Sequence, residues 1–99
     1  MAKYFLTNKT VIDLSDIWNY TFDTWSERQA DKYYHLLLDN CQVIADKPNI
    51  GKNYEAILNR LFGHKIGRHI IFYRIANKKE ILIIRILHEQ MDLKNRINE

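Results

Sequence analysis

Cysteine is almost missing from this chain. Cys41 is the single one in 99 residues, so no internal disulfide can form. It falls in a helical pattern between Leu37 and Ile44, where a small buried hydrophobe is expected rather than a catalytic thiol. Glycine is scarce too. Gly51, Gly63 and Gly67 form no Gly-rich phosphate-binding motif. Proline occurs once, at Pro48. No apolar run approaches the ~20 residues of a membrane span. The opening Met-Ala-Lys-Tyr-Phe has no signal-peptide hydrophobic region. The expectation is a cytoplasmic protein without a membrane partner. With no repeat and no low-complexity segment, one domain over residues 1–99 is expected.

Hydrophobic residues make up 46% of the chain and charged residues 27%, which sets it apart from a disordered chain. A chain this short buries only about 60–65% of the surface it exposes when unfolded, so a bound partner can add much to its stability. Six Tyr, four Phe and two Trp suit either a compact core or a contact surface. The +3 net charge is unevenly spread. Residues 1–50 carry five Lys/Arg and seven Asp/Glu, a net −2; residues 51–99 carry ten and five, a net +5. The basic second half points to an acidic partner, either an acidic peptide or, less favoured, nucleic acid; the plain alternative is a solvated basic face.

Lys3 to Leu6 reads as a short strand, and Thr7 as an N-cap. Val11, Leu14, Trp18, Phe22 and Trp25 then recur at spacings of 3, 4, 4 and 3. This predicts an amphipathic helix with Trp18 and Phe22 in the core and Asp13, Asp16 and Asp23 facing water. Ser26-Glu27-Arg28-Gln29 has the capping-box pattern and opens a second helix. Its apolar stripe is Ala30, Tyr33, Tyr34, Leu37, Cys41 and Ile44. With almost nothing between them, the helices must form an antiparallel hairpin. Pro48 and Gly51 end the second helix.

After an ambiguous stretch from Asn53 to Arg60, Leu61–Ile66 and His69–Ile75 read as strands joined by Gly67-Arg68. Ala76-Asn77-Lys78-Lys79 is a second turn. Glu80–Leu87 is apolar on both faces, the mark of a central strand. Its Ile84 and Ile86, with Phe72, complete the expected core. One sheet face should meet the helices; the other needs the C-terminal tail or another chain. The expected order is β-α-α-β-β-β. It is an α+β fold in which an N-terminal strand and a helical hairpin pack on a small, largely antiparallel sheet.

Several segments resemble those of the ParE/RelE superfamily of small toxins, and of ParE-type toxins in particular. They are Asp13-Leu14-Ser15-Asp16-Ile17-Trp18-Asn19-Tyr20, Trp25 through Ala30, the loop Pro48-Asn49-Ile50-Gly51-Lys52, the strand Gly67-Arg68-His69-Ile70-Ile71-Phe72-Tyr73-Arg74, and the closing Leu87-His88-Glu89-Gln90-Met91-Asp92-Leu93. Residues 53–62 depart most from the pattern. The resemblance implies the toxin half of a type II toxin–antitoxin, or plasmid stabilisation, system. It further implies a cognate ParD-like antitoxin and DNA gyrase as the target. RelE-like relatives instead cut mRNA on the ribosome.

Metal-independent RNA cleavage needs a base, an acid and cations for the phosphorane charge. His88, Arg85 and Arg68, with Lys65, are the candidates if that chemistry is present. Glu89 follows His88 where RNA-cutting relatives often carry a tyrosine. The structural alternative has Arg68 and Arg74 pairing locally and Asp92 holding His88 by a hydrogen bond. A binding toxin is therefore expected rather than an enzyme. Its partner-binding residues would be Arg68, Arg74, Arg85, His88, Met91, Asp92 and Leu93. His64 and His69 flank the Gly67 hairpin and could meet across it. With no Cys partner and no His-x₃-His, neither a metal site nor a cofactor is expected.

Overall fold

The computed structural model describes residues 2–99. Strand β1 (Lys3–Leu6) leads into α1 (Asn8–Thr24) and α2 (Glu27–Asp46). A 3₁₀ turn (Pro48–Ile50) and a two-residue strand β2 (Lys52–Asn53) precede β3 (Phe62–Ile66), β4 (His69–Asn77), β5 (Glu80–His88) and a terminal helix α3 (Leu93–Ile97). The sheet order is β1-β5-β4-β3-β2, with β1 parallel to β5 and the other pairs antiparallel. The expected α+β order holds, with β2 and α3 added.

Local chemistry sets the helix boundaries. Thr7 Oγ1 accepts from Thr10 N at 3.1 Å, and Ser26 Oγ accepts from Gln29 N at 3.1 Å. Each cap satisfies a backbone donor that has no partner within the helix. Only Trp25 and Ser26 separate α1 from α2, which forces them antiparallel. Gly67 takes φ +57° in the β3–β4 turn, a conformation costly for residues with a side chain.

The core lies between the hairpin and one sheet face. Leu37, Cys41 and Ile44 of α2 and Leu14 of α1 pack on Ile71, Tyr73, Ile81, Ile83 and Ile86. Tyr33, half-buried, packs at the margin. A second cluster, Leu61, Ile70, Phe72, Leu87 and Ile97, occupies the opposite face, with Ile84 half-buried against it. Leu93 and Ile97 of the tail cover that face, as expected. The stretch 54–61 covers it as well through Tyr54, Ile57 and Leu58, a role not expected for it. A register shift between Phe72 and Tyr73 leaves Ile84 as an extra residue on β5. This bulge lets Ile83 and Ile86, three apart, share the helix-side core.

The expected orientation of α1 is wrong. Phe22 is 46% exposed, Val11 52% and Trp25 74%, and Trp18 is only partly buried. Of the expected stripe only Leu14 is buried, and it shares the inner face with Thr10 and Asp13, with Ile17 half-buried. The reason lies at the sheet edge. Strand β1 ends at Leu6, level with Ile83, so beyond that point the edge of β5 away from β4 has no strand beside it. The start of α1 fills the gap. Thr7 N and Thr10 Oγ1 donate to Ile83 O, Thr7 Oγ1 donates to Ile84 O, and Ile86 N donates to Asp13 Oδ2 at 3.1 Å. Polar side chains on α1 thus satisfy backbone groups that would otherwise be buried without partners.

Candidate functional site

Asp13 and Arg85 form the buried ionic centre of the molecule. Arg85 Nε donates to Asp13 Oδ2 at 2.7 Å and Nη2 to Oδ1 at 2.9 Å. Each residue is 8% exposed. Arg85 Nη1 also donates to Arg96 O at 2.7 Å and reaches Glu99 Oε1 at 3.4 Å. The hydrogen bonds it donates to Asp13 hold the guanidinium in its charged form and push its pKa up, against the opposing effect of burial. One guanidinium therefore joins α1, β5 and the last turn of the tail. Asp13 does not face water, and Arg85 is a clamp inside the fold rather than a cation offered to a partner.

Arg74 is committed in a similar way. Its Nε and Nη2 donate to Asn59 O at 3.0 and 2.7 Å, fastening the 54–61 stretch to β4. Tyr73, wholly buried, does the same for the Pro48 loop: its hydroxyl donates to Pro48 O at 2.7 Å and accepts from Gly51 N at 2.9 Å. A Cβ on Gly51 would lie 2.2 Å from that hydroxyl, so only glycine fits.

Polar side chains gather at the β3–β4 turn end of the sheet. His69 lies opposite His88 in the register, with ring centroids 5.3 Å apart and edge to face. Across the β3–β4 hairpin His64 lies opposite Ile71, and His69 opposite Ile66. Among the described residues no three potential ligands converge on a metal position. Tyr33 of α2 brings its hydroxyl to 2.6 Å from His69 Nδ1 and 3.3 Å from Ile66 O. A single hydroxyl hydrogen serves both contacts only if His69 Nδ1–H donates to Tyr33, which donates onward to Ile66. Burial, with His88 adding to it, lowers the His69 pKa to about 4; Asp13 and Glu89 oppose this. Sequence reasoning missed this link from Tyr33 to His69.

His88 Nδ1 accepts from Gln90 N at 3.1 Å. Asp92, expected to hold His88, caps α3 instead, accepting from Asn95 N and Nδ2. Glu89 pairs with Lys65 at 2.7 Å, which lowers the Glu89 pKa, and its backbone N–H donates to Arg68 O. Arg68 is exposed at the tip of the turn, and Met91 is 41% exposed. Leu93 is part of the second core cluster. Of the expected site residues, the structure brings Arg68 and His88 to one end of the sheet. It takes Arg74, Arg85, Asp92 and Leu93 into structural roles.

A helical hairpin on an antiparallel-dominated sheet, with one parallel N-terminal strand, is the architecture of the small ParE and RelE toxins. The structure overlays a chain of the chromosomal ParDE toxin–antitoxin system from P. aeruginosa with a TM-score of 0.74 at 19% identity, covering 89% of this chain and 96% of that one. It overlays a chain of the RelBE2 toxin–antitoxin complex from Mycobacterium tuberculosis with a TM-score of 0.69 at 16% identity, covering 89% and 98%. The family model for the ParE toxin of the type II toxin–antitoxin system parDE matches residues 4–93. The chain is 33% identical over 94 residues to Toxin ParE1 of Caulobacter vibrioides, covering 95% of this chain and 96% of the relative. It is 30% identical over 92 residues to Toxin ParE1 of Mycobacterium tuberculosis, covering 93% and 94%. The chain belongs to the ParE toxin family of type II toxin–antitoxin systems.

Proposed function

We propose that this toxin acts in the cytoplasm by binding and poisoning DNA gyrase, and that a ParD-like antitoxin neutralises it within a plasmid-stabilisation system. The observation that supports a binding toxin is the commitment of its arginines. An RNA-cleaving site needs cations free to meet the phosphorane. Arg85 is buried against Asp13, and Arg74 is spent on Asn59 O. Arg68 alone of the three arginines is exposed beside His88. The basic second half, net +5, suits an acidic antitoxin segment.

Correctly folded toxin is expected to inhibit gyrase supercoiling in vitro and to leave mRNA intact on translating ribosomes. Addition of the antitoxin should restore supercoiling. Full supercoiling activity at saturating toxin would count decisively against the proposal. A second reading, ribosome-dependent mRNA cleavage, draws on the grouping of Arg68, His88 and Lys65 at one sheet end. It predicts cut transcripts that His88→Ala or Arg68→Ala abolishes while the fold is kept.

A further inference from the structure

The two faces of the sheet are covered unequally. The helical hairpin lies over the inner face. On the outer face, the tail and the 54–61 stretch pack around Ile70, Phe72 and Leu87. Tyr4 and Leu6 of β1 pack against the hairpin core, so Phe5 between them points outward, and it is 48% exposed. Phe5 lies opposite Leu82 on β5, and Leu82 lies opposite Arg74 on β4, so the three form one row across three strands. Leu82 sits between the core residues Ile81 and Ile83 and is half-buried; neither it nor Phe5 belongs to either core cluster. Half-buried Ile84 continues this apolar surface toward the second cluster.

Cations frame the row. Lys3 stands two residues before Phe5 on the same face of β1, and its backbone N–H donates to Lys79 O at 2.8 Å. Lys78 and Lys79 form the adjoining β4–β5 turn, and Arg74 borders Leu82. Just past Ile84, Arg85 holds the last turn of the tail, where Lys9 and Arg96 meet Glu99. Against Lys3, Lys9, Arg74, Lys78, Lys79 and Arg96 stand only Glu80 and Glu99, a net of 6 − 2 = +4. Nucleic acid and anionic lipid also seek cations. Stacking a base needs aromatic platforms, and here Leu82 and Ile84 are aliphatic. Membrane insertion needs a broad protruding apolar face, and these two side chains lie half-buried in a sheet. What fits is a polypeptide with apolar anchors and acidic flanks.

We propose that the outer face of β1 and β5 docks an acidic-flanked apolar segment of the toxin's protein target. Apolar side chains of that segment seat on Phe5 and Leu82, and its carboxylates meet Lys3 and Lys79. This inference rests on the reading of the chain as a poison that binds gyrase, and it names the surface that would do so.

Two measurements on the full chain test it. In the first, a synthetic Leu/Glu amphipathic peptide is titrated calorimetrically into the toxin and into Phe5→Ser and Lys3→Glu. The peptide is expected to bind saturably and to weaken with salt. Each variant should bind it about tenfold more weakly, with an unchanged melting temperature. In the second, the same variants should need at least tenfold more protein for equal inhibition of gyrase supercoiling. No peptide binding, full peptide binding by both variants, or tighter binding of phosphatidylglycerol vesicles or single-stranded DNA than of the peptide would each overturn the proposal. So would undiminished gyrase inhibition by both variants. A parent toxin that leaves gyrase untouched would overturn the gyrase reading, and the peptide titration would then decide on the surface by itself.

Discussion

Arg85 and Asp13 stand 72 residues apart in sequence, yet face each other fork to fork at 2.7 and 2.9 Å in a nearly dry site. Asp13 also takes the Ile86 backbone N–H, and Arg85 also holds the Arg96 carbonyl. Breaking a buried pair from one side leaves a charge without a partner. That costs about 3–5 kcal/mol, while replacing both partners by apolar residues is often much milder. Asp13→Ala should therefore lower the free energy of unfolding by roughly that amount in urea titrations. The double change Asp13→Leu, Arg85→Met should recover part of the loss. If Asp13→Ala proves as stable as the parent, the pair is not the clamp described.

Tyr73 offers a cleaner probe of the Pro48 loop. Tyr73→Phe keeps the ring and removes the hydroxyl that serves Pro48 O and Gly51 N. A loss of about 1–3 kcal/mol is expected, the cost of leaving buried backbone groups unpaired. Gly51→Ala should be at least as damaging, because its Cβ would overlap that hydroxyl. Calorimetric melting of both variants tests this, and a neutral Gly51→Ala would refute the packing argument.

Acid should weaken the fold through His69. Its pKa is about 4 in the folded chain against 6.5 for the free side chain. Between those values the unfolded chain binds the extra proton, so stability is complete above pH 6.5 and falls as pH drops toward 4. The loss from this group is on the order of 2 kcal/mol. His69→Gln should flatten the dependence in that window, as read by urea unfolding at pH 7 and pH 5. An unchanged slope would show that other groups carry it.

The exposed stripe of α1 and the buried stripe of α2 should respond very differently to the loss of an apolar side chain. Phe22→Ser and Trp25→Ser, on the exposed stripe, should change stability by no more than about 0.5 kcal/mol. Leu37→Ala, in the core between α2 and the sheet, should cost about 2–5 kcal/mol. A large loss from Phe22→Ser would mean that the stripe is covered in the isolated protein.

What was legible in the sequence follows the range of the forces involved. The stripe Ala30, Leu37, Cys41, Ile44 specified the inner face of α2 because no competing face is as apolar. The doubly apolar run of β5 marked the central region of the sheet correctly. On α1 two faces compete, and the more hydrophobic one lost. The buried face contains Thr10 and Asp13, whose partners on β5 lie more than 70 residues away. No local pattern reveals them. The stretch 54–61 was unreadable for a related reason: its turns depend on Tyr54 packing on Phe72 and on Arg74 holding Asn59 O. At the candidate site, Arg68 and His88 were found through the family resemblance. Tyr33 was missed as a partner because its contact with His69 spans 36 residues and two kinds of element.

The substitution of a helix start for the second half of β1 also bears on solubility. A strand edge with free N–H and C=O groups invites a second chain to zip onto it. On β5 that stretch is plugged by Thr7, Thr10 and Asp13. The outer strands themselves, β1 and β2, run only four and two residues. Neither gives a growing stack of sheets much to template on.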